Sequence, residues 1–410
     1  ETTLDEPNSS GYADFQRLRR TWYVDTSGVV TADLSFDLSN AATTPGNVSD
    51  YILLYRSGTS GAFKQVDPNA DSKTNDVIDF NNKTVKEGYY TLGTKDRDVS
   101  PLLLNTYWVA TGGSNTNTGD ESNPFATISH ALSQVSAGGV IHIKSGSYSQ
   151  SPTISKDVTI TASSSVDVQD ITLNGSEIDV FFDNKITITG TLSLTDGILH
   201  TPNGITIDDD ATVSPSGGQS SSYVDGSVTK VGDDAFDFPV GDNGKWARIG
   251  ISAPSSTTDA FTASYTKSHY TDTSTFATQA SNPGSNPQLQ NVSHNEYWNL
   301  DRDNGSSSVD VTLYWEDGTF SGIDDLSDLQ ITRWDGSAWK NHGQNSTNGT
   351  TSSGSIQVNS VGNFSPFTFG SAAPNSNPLP VELTNFEVQK VEQSAHLNWA
   401  TASETNNSHF

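Results

Sequence analysis

The stretch "YWVATGGSNTNTGDESNPFATISHALSQVSAGGVIHIKSGSYSQ", residues 107–150, carries the one good helix signal in the chain and is followed by a change of texture. Asn123-Pro124 opens the helix signal, Phe125, Ile128, Leu132 and Val135 share one face, and Gly138-Gly139 closes it. Beyond it come "VIHI", "VTITA", "DITL", "IDVFF", "ITITG", "LSLTDGIL", "GITID" and "ATV". These brief runs are rich in β-branched residues and punctuated by Asn, Asp or Gly. They suit the stacked rungs of a parallel β-solenoid, in which each coil buries its inward face on the next. Roughly nine such runs, at three per coil, predict about three coils.

The same residues carry a family resemblance. "GGSNTNTGDESNPFATISHAL" followed by "GGVIHIKSGSY" resembles the opening of right-handed parallel β-helix domains of the pectate-lyase-like superfamily. Those domains begin with a strand, a Gly/Ser/Asn-rich loop, an "NPFATI" segment and a capping helix. The resemblance implies a fold; it does not imply catalysis.

Composition narrows the functional classes. The net charge is −27 over 410 residues, which disfavours nucleic-acid and anionic-membrane partners, both of which call for basic patches. No run of about 18 apolar residues occurs, so no transmembrane helix is expected. There is no cysteine, hence no disulfide and no thiol chemistry. There is no methionine either, so Glu1 is not a translational start and a leader is expected to be missing. Thirty-four glycines among abundant Ser, Thr, Asn and Asp read as many short strands joined by tight turns. The expectation is an extracellular, all-β chain: a short right-handed parallel β-helix flanked by antiparallel β-sandwich (Ig/fibronectin-like) domains.

The flanks repeat one another. "RTWYVDTSGVVTADLSFDLSN" matches "EYWNLDRDNGSSSVDVTLYWEDG" in pattern, "YILLYRSGTSGAFKQV" matches "LQITRWDGSAWKNHG", and "GYYTLGT" matches "SPFTFGS". Trp298 lies 276 positions after Trp22, and Gly370 lies 277 after Gly93. The second copy is preceded by a segment of about 221–290, opening with "SSYVDGSVTKVGDDAFDFPVGDNGKWARIGISAP" (221–254), which has no counterpart before the first. That segment resembles a module of secreted proteins of Bacteroidetes-type bacteria. The domains expected are therefore 1–98, a partial sandwich; 106–220, the β-helix; 221–372, the complete sandwich; and 379–410.

The last of these, "LPVELTNFEVQKVEQSAHLNWATASETNNSHF", alternates like two strands and stops. It resembles the fibronectin-type-III-like segment that precedes the sorting signal of type IX secretion cargo, which implies export to the outer cell surface. Two strands alone are marginal in water. Either further domains of the chain or a neighbouring copy is expected to cover Leu379, Val381, Leu383, Phe386, Leu397 and Trp399, in the second case by strand donation.

Candidate chemistry is sparse. A β-helix lyase needs Ca²⁺-holding carboxylates and a basic residue, yet no arginine occurs between Arg97 and Arg248. Asp167, Asp170, Asp179, Asp183 and Asp196 sit mostly at turn-like positions. His142 and His200 show no Ser or Asp partner at a recognisable spacing. Alternating oxygen ligands suit calcium at Asp67, Asn69 and Asp71, at Asp208–Asp210, and at Asp301, Asp303 and Asn304, with a solvated turn as the plain alternative. Trp334 and Trp339 flank an Asp335-Gly336 hairpin and are expected in a sandwich core rather than on a sugar platform. No catalytic residue is expected. The reading is a structural or adhesive repeat protein with possible calcium and a glycan or cell-surface ligand; the alternative is a polysaccharide-binding or polysaccharide-degrading β-helix.

Overall fold

The computed structural model describes residues 16–18, 21–38, 42–44, 46–58, 63–96, 103–104, 106–135, 137–373, 376–377, 383–391 and 394–401. It is all-β, with 51% strand and 6% helix, and combines a solenoid of about four turns with separate antiparallel sheets. The chain forms two compact units, Glu1–His142 with Lys156–Thr159 and Ile143–Ser155 with Ile160–Phe410. The solenoid has about four turns where run-counting predicted three. The reason is coil length: neighbouring coils superpose residues some 19 to 25 positions apart, so residues 139–231 hold about four coils, which counting runs three to a coil underestimates.

In the first unit the helix begins later than Asn123-Pro124 suggested. It spans Ile128–Gln134, with the Thr127 hydroxyl accepting from the His130 amide at 3.1 Å. Phe125 instead forms an isolated parallel bridge to Val109, which holds "NPF" extended. Ile128, Leu132 and Val135 are buried as the 3.6-residue pattern requires.

In the second unit the solenoid interior is built from parallel stacks. One runs Tyr148, Val168, Ile188, Ile207, Lys230 through successive coils. A second runs Ile154, Leu173, Leu194, and a third Val180, Leu199, Val224, Val240. Every member is buried, and each aliphatic side chain removed from water contributes roughly 1.5–3 kcal/mol. The strand Val224–Val231 pairs in parallel with Thr191–Ile207 and also antiparallel with Ala260–Thr266. It is thus the last long rung of the solenoid and a strand of the following sandwich.

The two sandwich copies agree in register as well as in order. Tyr51–Arg56 pairs with Gly88–Thr94 so that Tyr51 faces Thr94 and Tyr55 faces Tyr90. At the same positions of the second copy, Leu329 faces Ser371 and Arg333 faces Phe367. Val30–Asp37 pairs with Val77–Val85 through Ala32 with Lys83, Leu34 with Phe80 and Phe36 with Ile78, with an irregularity between Ala32 and Leu34. Val309–Trp315 pairs with Gly354–Val361 through Val309 with Val361, Val311 with Val358 and Leu313 with Ile356, with its irregularity between Val309 and Val311. The hairpins Tyr51–Arg56/Lys64–Asp67 and Leu329–Trp334/Trp339–Gly343 also share a bulge, after Leu53 and after Ile331.

The shared irregularity in the second sheet has a shared cause. Asn82 and Ser360, at the extra position, have φ of 53° and 55°. Their amides donate to the carboxylates of Asp33 at 2.7 Å and Asp310 at 2.9 Å. A left-handed non-glycine residue is tolerated when a side chain satisfies its amide in this way.

Trp339 is fully buried and Trp334 packs against its cluster at the edge, as expected of a sandwich core. At the end of the described chain, Leu383–Val391 and Ser394–Thr401 pair antiparallel, with Phe386 opposite Trp399 and Val388 opposite Leu397. Leu379 and Val381 lie outside the described residues.

Candidate functional site: the outer face of the solenoid

The richest polar arrangement follows from coil length. Neighbouring coils superpose residues some 19 to 25 positions apart, so Phe181, His200 and Asp225 align on three successive rungs. The His200 ring stacks on Phe181 at 4.5 Å and 13°. Its Nδ1 lies 3.0 Å from Asp225 Oδ2 and its Nε2 3.0 Å from Asp179 Oδ1. His200 therefore does have carboxylate partners. The sequence hid them because they lie one coil away on either side, not at a local spacing.

Burial opposes a charge on this imidazole, but the two carboxylates overcome it and raise the pKa to about 9. Near neutral pH His200 is an imidazolium with both N–H groups donated. A ring in that state has no free nitrogen with which to accept a proton, so it cannot act as a general base there. His142, in the other unit, stacks on Trp108 at 4.3 Å.

Three further solenoid carboxylates are engaged in the same coil-to-coil manner. Asp167 accepts from the Ser147 hydroxyl at 3.1 Å. Asp170 accepts from the Ser151 hydroxyl and the Thr191 amide, each at 2.7 Å. Asp183 accepts from the Thr161 hydroxyl at 3.4 Å. Asp196 pairs in register with Asn174 at the bend of the coil. A groove lined by Ser147, Tyr148, Ser149, Asp167, Gln169 and Thr189 encloses about 330 Å³. Asp167 is the one carboxylate among those lining residues, whereas glycoside hydrolysis by the usual route uses two.

The acidic clusters read as calcium ligands are placed as follows. The Lys83 ammonium lies 2.6 Å from Asp67 Oδ2 and 2.8 Å from Asp71 Oδ2. Lys95 Nζ lies 2.7 Å from Asn69 Oδ1. A calcium ion at these three residues would have to displace Lys83 from both carboxylates. Asp303 accepts from the Thr262 hydroxyl, and Asn304 Nδ2 donates to the Thr258 carbonyl at 2.6 Å. Burial, with a further contribution from the Asp303 charge, raises the Asp301 pKa.

Of Asp208–Asp210, Asp209 and Asp210 meet Asp234, with carboxylate oxygens within 4.8 Å of one another. A cation is built in beside them. Lys230 Nζ, on a side chain 1% exposed, lies 3.1 Å from Asp234 Oδ2. It also donates to the carbonyls of Asp208 at 2.8 Å and Ala211 at 3.1 Å. Gly232 has φ of +120°, and a Cβ there would come within 2.2 Å of Asp209 Oδ1, so this turn admits only glycine without rearrangement.

Residues 111–156 match the family model DUF1565, described as a protein of unknown function. That family is associated with β-helix proteins, and the matched residues are those of the capping segment and first strands. No curated protein and no solved structure matches the chain. No helix among the described residues is long and apolar enough to cross a membrane.

Proposed function

We propose that the chain is a non-enzymatic structural or adhesive part of a repeat-built extracellular protein. The observation that carries this reading is that one sandwich, matching in register and bulges, occurs twice in a chain whose solenoid imidazole, His200, is held by Asp179 and Asp225 across coils. Such repetition builds length, and polar groups bonded from coil to coil stiffen a surface. Secretion to the cell surface by the type IX route is part of the proposal and is supported by the resemblance of the last residues. The hairpin of Leu383–Val391 and Ser394–Thr401 would join one module or copy to the next by adding its strands to a sheet edge.

Electron microscopy of the native material, with and without a calcium chelator, tests this. Regular fibres or stalks of constant axial repeat are expected, and their loss in chelator would assign a role to calcium at the acidic turns. Isolated globular particles in both conditions overturn the filament reading. A second reading is favoured by one observation: Phe181 is 40% exposed on the solenoid face beside the charged His200. An aromatic ring flanked by carboxylates suits a polysaccharide. Retention of the chain on immobilised polysaccharides, lost in Phe181→Ala, would support it, and intact polymer length after long incubation would separate binding from cleavage.

A further inference from the structure

The second sandwich buries a carboxyl group in its interior. Glu296, directly before the strand Tyr297–Asn304, is 1% exposed. The Tyr265 hydroxyl donates to its Oε2 at 2.9 Å, and the Thr368 hydroxyl to its backbone carbonyl at 2.6 Å. Its Oε1 is enclosed and makes no hydrogen bond. Ser321, also 1% exposed, faces the same carboxyl, and its Oγ is likewise enclosed and unbonded. A buried carboxyl oxygen and a buried hydroxyl thus stand beside each other with no bond between them.

Ser321 ends the short helical turn Gly318–Ser321. The Asn295 side chain donates to the Phe320 carbonyl at 2.8 Å, and the Gly318 amide to the Ser352 carbonyl at 2.8 Å. Asp317 caps the turn, accepting from the Phe320 amide at 3.2 Å. Lys245 lies 3.6 Å from Asp317 Oδ2 and 4.3 Å over the Phe320 ring. This cation therefore serves a carboxylate other than Glu296.

We propose that Glu296 is a proton-operated latch. As a neutral acid it donates from Oε1 to Ser321 Oγ and fastens the turn Gly318–Ser321 to the sandwich. When that proton leaves for solvent, the turn loosens and admits water. An ionised Oε1 can receive only the Ser321 hydroxyl, and one neutral donor does not offset the cost of a buried charge.

The surrounding groups agree with this assignment. Burial is the main influence on Glu296 and raises its pKa from 4.5 to about 7. Burial, and then the Glu296 charge, push the Tyr265 pKa up, so its hydroxyl remains a donor throughout; Asp242 and Tyr223 bear on it in the same direction. The bond from the Phe320 amide holds the Asp317 pKa low, so Asp317 stays charged. His294, buried on the same segment, is a residue type that ordinarily titrates near this range. A raised carboxyl pKa means that the closed turn is fully supported below about 4.5 and loses that support as pH rises to about 7. The latch holds whether or not the chain forms fibres or binds a surface.

Native-state amide exchange of the intact chain, corrected for intrinsic rates, tests it. The Ser321 and Ile323 amides donate to the Asp317 and Gly318 carbonyls. Their protection should fall at least about tenfold between about pH 5 and pH 7, within the limit of about tenfold per pH unit that one proton sets. Protection across Tyr297–Asn304 should change far less. Glu296→Gln keeps an uncharged donor toward Ser321 and should leave the turn protected at every pH. The same pH dependence in the Gln variant would assign the effect to His294 and overturn the latch. So would unchanged protection of the turn in the wild type, or a loss spread equally over the sandwich. A carbon-13 titration of the wild-type Glu296 carboxyl with a midpoint near 4.5 overturns it as well, and that measurement decides the matter even if Glu296→Gln fails to fold.

Discussion

His200 shows how a solenoid sets the chemistry of a single side chain. Its imidazolium is held by Asp179 and Asp225, so the folded pKa of about 9 exceeds the ordinary value of 6.5. A raised pKa means stability that is fully present below about 6.5 and is lost as pH rises through about 9. With partial exposure screening the pair, the contribution is roughly 1–2 kcal/mol. Denaturant titrations of the wild type and His200→Gln should therefore differ by that amount at pH 6 and converge near pH 10. An NMR titration of the ring that midpoints near 6.5 would contradict the clamp. Lys230 makes a parallel case. Lys230→Met keeps the stem that ends the Tyr148–Ile207 stack but leaves two buried carbonyls and Asp234 without their donor. A loss of roughly 2–4 kcal/mol is expected by chemical denaturation.

At the scale of elements, the paired bulges invite a matched experiment. Asp310→Ala leaves the left-handed Ser360 without its acceptor and should cost about 1–3 kcal/mol, and Asp33→Ala should act similarly on Asn82. Asp→Asn at either site should retain much of the stability, because its side-chain carbonyl still accepts from the amide. This device also marks the limit of what sequence reveals. The repeat itself was legible, because alternating apolar residues and the tryptophan and glycine landmarks recur at nearly constant offset. The solenoid was legible from "NPFATI" and from short β-branched runs. The Asp33–Asn82 and His200–Asp225 contacts were not, since each joins residues whose separation is decided by strand register or coil length. The helix start was misplaced for a related reason: Asn-Pro is a local helix signal, but a tertiary bridge from Phe125 to Val109 overrides it.

For the whole molecule, the strand Val224–Val231 bears on mechanics. It is hydrogen-bonded in parallel to the solenoid and antiparallel to the sandwich strand Ala260–Thr266, so no free tether separates the two within this unit. A pull along that strand meets ladder bonds on both sides arranged to break together, as in a lap joint loaded in shear, and not one after another like a zipper. Single-molecule stretching between attachment points at residues 150 and 370 should then give one high-force rupture in place of separate solenoid and sandwich events. Substituting Thr229 with proline, in the middle of the joint, should divide that rupture into two weaker ones. A protein built this way would transmit tension along its length as a strut does, and its weakest point would lie elsewhere than at the boundary between its folds.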